Sequence, residues 1–249
     1  MKIDIVIPTK NELDNLKIII PIIKKKYKYP IIVIDKSDDN SVKKLKEFCN
    51  RYKVKLFHQK SKGKGNALKE AIKYCKGDII VFFDADCSHD PDDIEKLVKP
   101  FKSNKFVHHV GGSRMRGGSD ELYADFQHFI RLFGSLVINL TINFKFGVNL
   151  TDTLNGLRAI KKYVFLKLNP GSHDFAIEVE LVSKTLSAGY NYVEIPTHEW
   201  QRKFGVSKIG LLTHSWQFIS MLISLLFLPK PKKNLSLLNS KINKKWYEK

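Results

Sequence analysis

Short, nearly continuous apolar runs alternate along the first hundred residues with longer segments whose apolar positions recur every three or four residues. Ile3, Ile5, Val6 and Ile7 predict a first strand that stops at Pro8, and Leu13 to Lys26 predicts a helix that Thr9 or Asn11 can cap. Ile31 to Ile34 reads as a second strand ending in Asp35. Leu45 and Phe48 place Lys43 to Tyr52 on a helix, Val54 to His58 forms a short third strand, and Asn66 to Cys75 a further helix. The run Asp78-Ile79-Ile80-Val81-Phe82-Phe83 is apolar at successive positions, as a parallel strand buried on both faces is. This alternation predicts βαβ units and an α/β fold, a mostly parallel sheet flanked by helices.

Two later segments have another character. Phe126 to Val148 carries Phe126, Phe129, Ile130, Phe133, Leu136, Val137, Leu140 and Phe144 at helical spacing, with Arg131 and Lys145 off that face. Such a face covers either a core or a membrane surface. Ile209 to Leu228 has no Asp, Glu, Lys or Arg and is long enough for a single span, yet Thr213, Gln217, Ser220 and Ser224 draw a polar stripe along it. The stripe favours an amphipathic helix lying in a membrane interface. Pro229 ends it, and a tail with Lys230, Lys232, Lys233, Lys241, Lys244, Lys245 and Lys249 suits anionic headgroups, at about 1 kcal/mol per charge near the surface.

The charge of the whole chain agrees with an anionic partner: 43 Lys and Arg against 25 Asp and Glu give a net charge of +18 over 249 residues. Nucleic acid, an acidic membrane and phosphorylated substrates all satisfy that charge. Aromatic residues concentrate in the apolar helices and are not interleaved with Lys and Arg, which argues against a nucleic-acid stacking platform. Cys49, Cys75 and Cys87 lie far apart without metal-ligand spacing, so a reducing compartment is expected and no disulfide framework. The apolar stretch that stops at Pro8 is too short and wrongly flanked for an export signal.

The candidate chemistry sits where strands end. Asp84-Ala85-Asp86 follows the Asp78 strand directly, and α/β sheets bind ligands at the carboxyl ends of their strands. Two carboxylates one residue apart ask for a divalent cation, whose hard character favours oxygen ligands and which can bridge to phosphates. Thr9 to Glu12, Asp35 to Asp39 and Ser61 to Asn66 would line the same edge. Gly63 and Gly65 permit close backbone approach ahead of a helix N-terminus, which favours anions, but their loop is neither a Walker sequence nor a dinucleotide fingerprint. The histidines show no helical metal-ligand spacing.

Taken in order, the segments Ile7-Pro8-Thr9-Lys10-Asn11-Glu12, Gly63-Lys64-Gly65-Asn66-Ala67-Leu68, Asp84-Ala85-Asp86, Gly112-Ser113-Arg114, Asp152-Thr153-Leu154-Asn155-Gly156-Leu157-Arg158-Ala159 and Arg202-Lys203-Phe204-Gly205-Val206-Ser207-Lys208 resemble an inverting GT-A glycosyltransferase of the polyprenyl-phosphate branch. The resemblance covers residues 3 to 210 and implies a GT-A (Rossmann-like) domain over 1–208, with interface helices near 125–148 and a membrane-interface helix and basic tail over 209–249. It implies a nucleotide-sugar donor, GDP-mannose or a UDP-sugar, and Mg2+ or Mn2+ held by Asp84 and Asp86. Ser88 stands where many relatives place a Gln metal ligand. Pro8, Lys10, Glu12, Asp35 and Ala85 match positions around the nucleotide, while Asp35-Lys36-Ser37 departs from the usual Asp-Asp-x-Ser and leaves the base unassigned.

For the acceptor, the resemblance implies a dolichyl or polyprenyl phosphate, with Arg114, Arg131 with Ser135, and Arg202 contacting the phosphates, and Lys208 is a further phosphate candidate at the cofactor site. A phosphate monoester is already anionic and needs no general base, unlike a sugar hydroxyl, and the forked guanidinium suits it. The enzyme is then expected on the cytoplasmic face of the membrane, peripheral, interfacially anchored or joined to a membrane-anchoring partner. Two other readings stand beside it: the same fold acting on a hydroxyl acceptor with Glu178 or Glu180 as base, and a non-catalytic membrane-associated binder of sugar nucleotides. Glu180 is a candidate for sugar hydroxyls, and Arg158 for ordering the loop after Asp152.

Overall fold

The computed structural model describes residues 1–120, 126–203, 220, 222–225 and 227–231 of the 249-residue chain. Its strands are β1 (Ile3–Thr9), β2 (Ile31–Asp35), β3 (Lys55–His58), β4 (Ile79–Phe82), β5 (Val107–Ser113), β6 (Arg158–Lys161) and β7 (Asn191–Pro196). Its helices are α1 (Leu13–Lys26), α2 (Asp39–Arg51), α3 (Lys64–Ala71), α4 (Asp93–Ser103), α5 (Arg114–Gly117), α6 (Phe126–Phe146), α7 (Lys162–Leu168) and α8 (Ile177–Ser187).

The strands form one sheet in the order β3-β2-β1-β4-β6-β5-β7. All neighbours are parallel except β6, which runs antiparallel to both β4 and β5. The first four strands thus follow the expected βαβ alternation. β6 is four residues long and has charged ends, so its period is too brief to read from sequence. α2 begins at Asp39, ahead of the expected Lys43, because Asp38 takes an extended backbone as its cap and accepts the Ser41 N–H.

Period-two alternation divides the core. Ile5, Ile7, Val33, Val81 and Phe83 face α1, α2 and α4, where Leu16, Ile20, Leu45 and Leu97 meet them. Val6, Ile32, Ile34, Ile80 and Phe82 face α3, α7 and α8, against Leu68, Phe165 and Leu181. A third cluster joins Ile138, Ile142 and Phe146 of α6 to Val179, Val182 and Leu186 of α8 and to Leu225. Each of these side chains gains about 1.5–3 kcal/mol from full burial.

Most of Ile209 to Leu228, and the lysine tail from Lys232 onward, lie outside the described residues. Of the described residues in that stretch, Ser220, Leu222 to Leu225 and Phe227 are helical, with Leu225 buried. Among the described residues no helix is long and apolar enough to cross a membrane.

Candidate active site

The chain leaves β1 toward β2 and β3, then returns to place β4 on the other side of β1. That reversal opens a crevice at the carboxyl ends of β1 and β4, the position at which open α/β sheets take their ligands. Asp84 and Asp86 lie there, two and four residues past the end of β4 at Phe82. Register sets the neighbouring loop: Thr9 pairs with Asp35, so the segments after β1 and β2 leave the sheet side by side.

Those two loops are tied together. Asn11, at φ 59, donates its backbone N–H to Ser37 Oγ at 2.7 Å, and Ser37 Oγ donates to Asp35 Oδ1 at 2.5 Å. Asp35 is buried and also accepts the Ser37 N–H, so it shapes the loop from within. Glu12 accepts a hydrogen bond from Asn15 Nδ2 at the start of α1. Pro8 is half-buried and Lys10 exposed on the same edge.

The carboxylate pair is built on a tight turn. Cys87 takes φ 63, a left-handed backbone that costs a non-glycine residue about 1–3 kcal/mol. The turn lets Ser88 reach back to Asp86 Oδ1 with its N–H at 3.1 Å and its Oγ at 2.6 Å. Ser88 is buried, and its carbonyl accepts the Trp200 N–H at 2.8 Å, which brings the segment with Arg202 over the site. Arg202 Nη2 stands 3.3 Å from Asp86 Oδ2. Ala85, between the two acids, is buried.

Asp84 is met from the other side by Lys64, whose ammonium lies 2.6 Å from Asp84 Oδ1 and 2.8 Å from Glu178 Oε1. Burial alone would raise the Asp84 pKa, but the Lys64 ammonium and His89 hold it well below the carboxylate range. Burial alone would lower Lys64, and its two carboxylates keep it protonated instead. His89 is buried, 3.8 Å from Asp84 Oδ2, and Asp84 raises its pKa against the opposing effect of burial. Behind Glu178 stands Arg158, fully buried, with Nη2 2.9 Å from Glu178 Oε2 and with hydrogen bonds to the carbonyls of Glu178, Thr153 and Asn155. Arg158 thereby orders the loop after Asp152, as the sequence suggests.

The glycines account for this convergence. A Cβ at Gly156 would collide with the Asp84 carboxylate and the Lys64 ammonium. Gly63, at φ 101, and Gly65 pack against the backbone of Ser172 and His173, where Asn66 N–H also bonds the His173 carbonyl at 3.0 Å. The glycine loop therefore serves to lay Lys64 between two acids that are distant in sequence. The sequence signalled the loop but not the lysine's partners.

The other expected residues divide. Arg114 forms a two-pronged pair with Asp152, Nε at 2.7 Å and Nη2 at 3.0 Å, and its Nη1 lies 3.3 Å from Glu199. Ser135 is buried and donates to the Leu132 carbonyl of its own helix. Arg131 lies four residues earlier on α6, with its side chain outside the described residues, as is Lys208. Glu180 accepts the Gly171 and Ser172 N–H groups at 2.7 Å each and pairs with Lys184.

Residues 4–168 match the model of a family described as glycosyl transferase family 2. The chain belongs to that family. Three relatives are similar over most of the chain. A dolichol-phosphate mannosyltransferase of Pyrococcus furiosus is 29% identical over 84% of the chain and 59% of its own length. Glycosyltransferase AglJ of Haloferax volcanii is 26% identical over 81% and 64%. An undecaprenyl-phosphate 4-deoxy-4-formamido-L-arabinose transferase of Yersinia enterocolitica is 26% identical over 85% and 63%. The chain thus spans about six-tenths of the length of these relatives.

In shape the family-2 chain is similar to glucosyl-3-phosphoglycerate synthase from Mycobacterium tuberculosis. The crystal structure of that enzyme with Mn2+, uridine diphosphate and glucosyl-3-phosphoglycerate matches at TM-score 0.70 and 18% identity, over 92% of this chain and 81% of that one. Its complex with Mn2+, uridine diphosphate and phosphoglyceric acid matches at 0.71. The fold is GT-A, as the sequence motifs imply.

Proposed function

We propose that this chain moves a sugar from a nucleotide-sugar donor, GDP-mannose or a UDP-sugar, to a dolichyl or other polyprenyl phosphate with inversion. The observation that carries the reading is the carboxylate pair Asp84 and Asp86 at the β1–β4 crevice, each acid already drawing a cation, Lys64 at 2.6 Å and Arg202 at 3.3 Å. The relatives' names supply the substrate classes.

The pair fits a divalent ion such as Mg2+ or Mn2+. Its donors are hard carboxylate oxygens, with the Ser88 hydroxyl 2.6 Å from Asp86 Oδ1. Among the described residues no cluster of three His, Cys, Asp or Glu side chains has metal-holding geometry, so diphosphate oxygens and water would complete the shell. When bound, the ion supplies Lewis-acid neutralisation of the departing nucleoside diphosphate. Pro8, Lys10, Glu12, Asp35 and Ala85 surround the nucleotide in this reading. In the same reading Arg202, beside Asp86, meets the phosphates, Arg114, Arg131 and Ser135 hold the acceptor phosphate, and Lys208 is a further phosphate contact. An acceptor phosphate oxygen bonds to the anomeric carbon as the carbon–oxygen bond to the diphosphate breaks, and the electron pair leaves with the nucleoside diphosphate.

The phosphate acceptor is favoured over a hydroxyl acceptor by the state of the two candidate bases. Glu178 is held between Lys64 and Arg158. Glu180, against the effect of burial, is kept below the ordinary glutamate range by Lys184 and by backbone N–H donors. Glu178 has both its neighbouring cations as partners, and Glu180 is moved away from the range near the operating pH in which a general base works best.

The exposed face of α6 supports a membrane surface as the place of action. Phe144 is 91% exposed, Leu140 67% and Phe133 62%, and Ile223 and Phe227 add apolar surface. In this reading the chain works peripherally on the cytoplasmic face, alone or with a membrane-anchoring partner.

The acceptor assignment is tested by offering the protein a labelled nucleotide sugar with Mn2+ and either a polyprenyl phosphate or the free polyprenol of equal length. Label should enter the organic phase only with the phosphate. Equal or greater transfer to the free alcohol would overturn the assignment in favour of a hydroxyl acceptor.

A further inference from the structure

Among the described residues, the ion pairs that reach the carboxylate pair set three carboxylates against three permanent cations. Asp84, Asp86 and Glu178 are met by the permanent cations Lys64, Arg158 and Arg202. His89 also lies beside Asp84, but an imidazole is no fixed charge. Lys64 is the joint of this set, since its ammonium touches both Asp84 and Glu178 while Arg158 closes Glu178 from behind. Its side chain is only 13% exposed, with the Phe175 ring 5.9 Å from the ammonium. Two glycines press its loop onto residues 172–173 and a third clears the space where it meets Asp84.

Lys64 meets Asp84 at Oδ1, 2.6 Å away, while His89 lies 3.8 Å from Oδ2. A divalent ion joining this set adds its full charge, and that surplus answers the doubly negative diphosphate of a nucleotide sugar. We propose that Lys64 is a positioning residue of the donor site, which through Asp84 sets the charge of the carboxylate pair so that metal ion and nucleoside diphosphate bind together. The inference rests on the donor-site reading above. Without Lys64 the pair is left with an uncompensated negative charge, which attracts the ion by itself and repels the diphosphate that should follow. Neutralising Glu178 has the opposite sign.

The test measures Mn2+ alone by the electron paramagnetic resonance of free ion, and GDP and UDP by calorimetry in saturating Mn2+, on wild type, Lys64→Met, Glu178→Gln and the double variant. Lys64→Met should bind Mn2+ about fivefold tighter and the preferred nucleoside diphosphate about tenfold weaker, a coupling of ordinary size. Glu178→Gln should shift both affinities the other way, and the double variant should return toward wild type because the two charges are neighbours. A residue that merely supports the fold would move both affinities in one direction. That outcome, or unchanged affinities in either folded variant, overturns the proposal. Should Lys64→Met fail to fold, Glu178→Gln decides it alone. Wild type that binds neither GDP nor UDP defeats the donor-site reading and this inference with it, whereas wild type that binds one, with Lys64→Met binding it equally, defeats only this inference.

Discussion

Asp86 is held by three groups, the N–H and Oγ of Ser88 and the guanidinium of Arg202, and none of them contributes to the apolar core. Asp86→Ala should therefore keep its near-UV circular dichroism while losing metal-dependent transfer by about a hundredfold or more, the scale of a lost charge-stabilising group. Full transfer in that variant would remove Asp86 from the site. Cys87, next in the chain, is inert for a physical reason: burial first, with Asp86 and Glu12 adding to it, pushes its thiol up to about 11 despite nearby Lys203. Little thiolate exists at neutral pH, so iodoacetamide should label native Cys87 far more slowly than a free thiol, and rapid labelling would contradict this. The acids were legible because an apolar run ending in Asp-x-Asp is a local signal. Lys64 was not, because its role depends on Glu178 and Gly156, which only the folded chain brings near.

At the scale of elements, β1 to β4 and α1 could be read from periodicity since each carries enough apolar positions to show its period. β6 could not, and its insertion between β4 and β5 is what places Arg158 and the loop before it under the site. β5 brings two histidines into play, His109 buried and His108 half-buried. Burial, then Lys161, lowers His108 to about 4, and burial, then Arg158, depresses His109 well below its ordinary value. A histidine lowered on folding binds its proton more readily in the unfolded chain, so stability is intact above the unfolded value near 6.5 and falls as pH drops from there toward 4. His108→Gln should flatten that part of the stability curve measured by urea unfolding, and an unchanged slope would count against it. α6 was legible as amphipathic, but its sequence alone did not say which apolar residues stay uncovered. Replacing Phe133, Leu140 and Phe144 together by Ser should reduce sedimentation with anionic vesicles by about tenfold or more, given about 1.5–3 kcal/mol per buried side chain. Unchanged sedimentation would take α6 out of the membrane contact.

Over the whole molecule, the GT-A sheet supplies a crevice, and the ion pairs within it are the proposed place for an ion and a diphosphate. The net charge of +18 favours approach to anionic ligands and surfaces without specifying them. The chain belongs to glycosyl transferase family 2, while the proposed donor and acceptor must be argued from the residues at the crevice. The claim that everything else rests on is that Asp84 and Asp86 anchor a nucleotide sugar through a divalent ion. Its most direct test is a thermal-shift panel of GDP- and UDP-sugars with Mg2+ or Mn2+ on wild type and Asp86→Ala. At about a hundred times its dissociation constant, a ligand of the native state stabilises by about 2.7 kcal/mol, which raises Tm by about 5–10 °C for a chain of this size. One nucleotide class should produce that rise in wild type only when the metal is present, and Asp86→Ala should lose it; no rise with any donor, or an equal rise in the variant, would contradict the account.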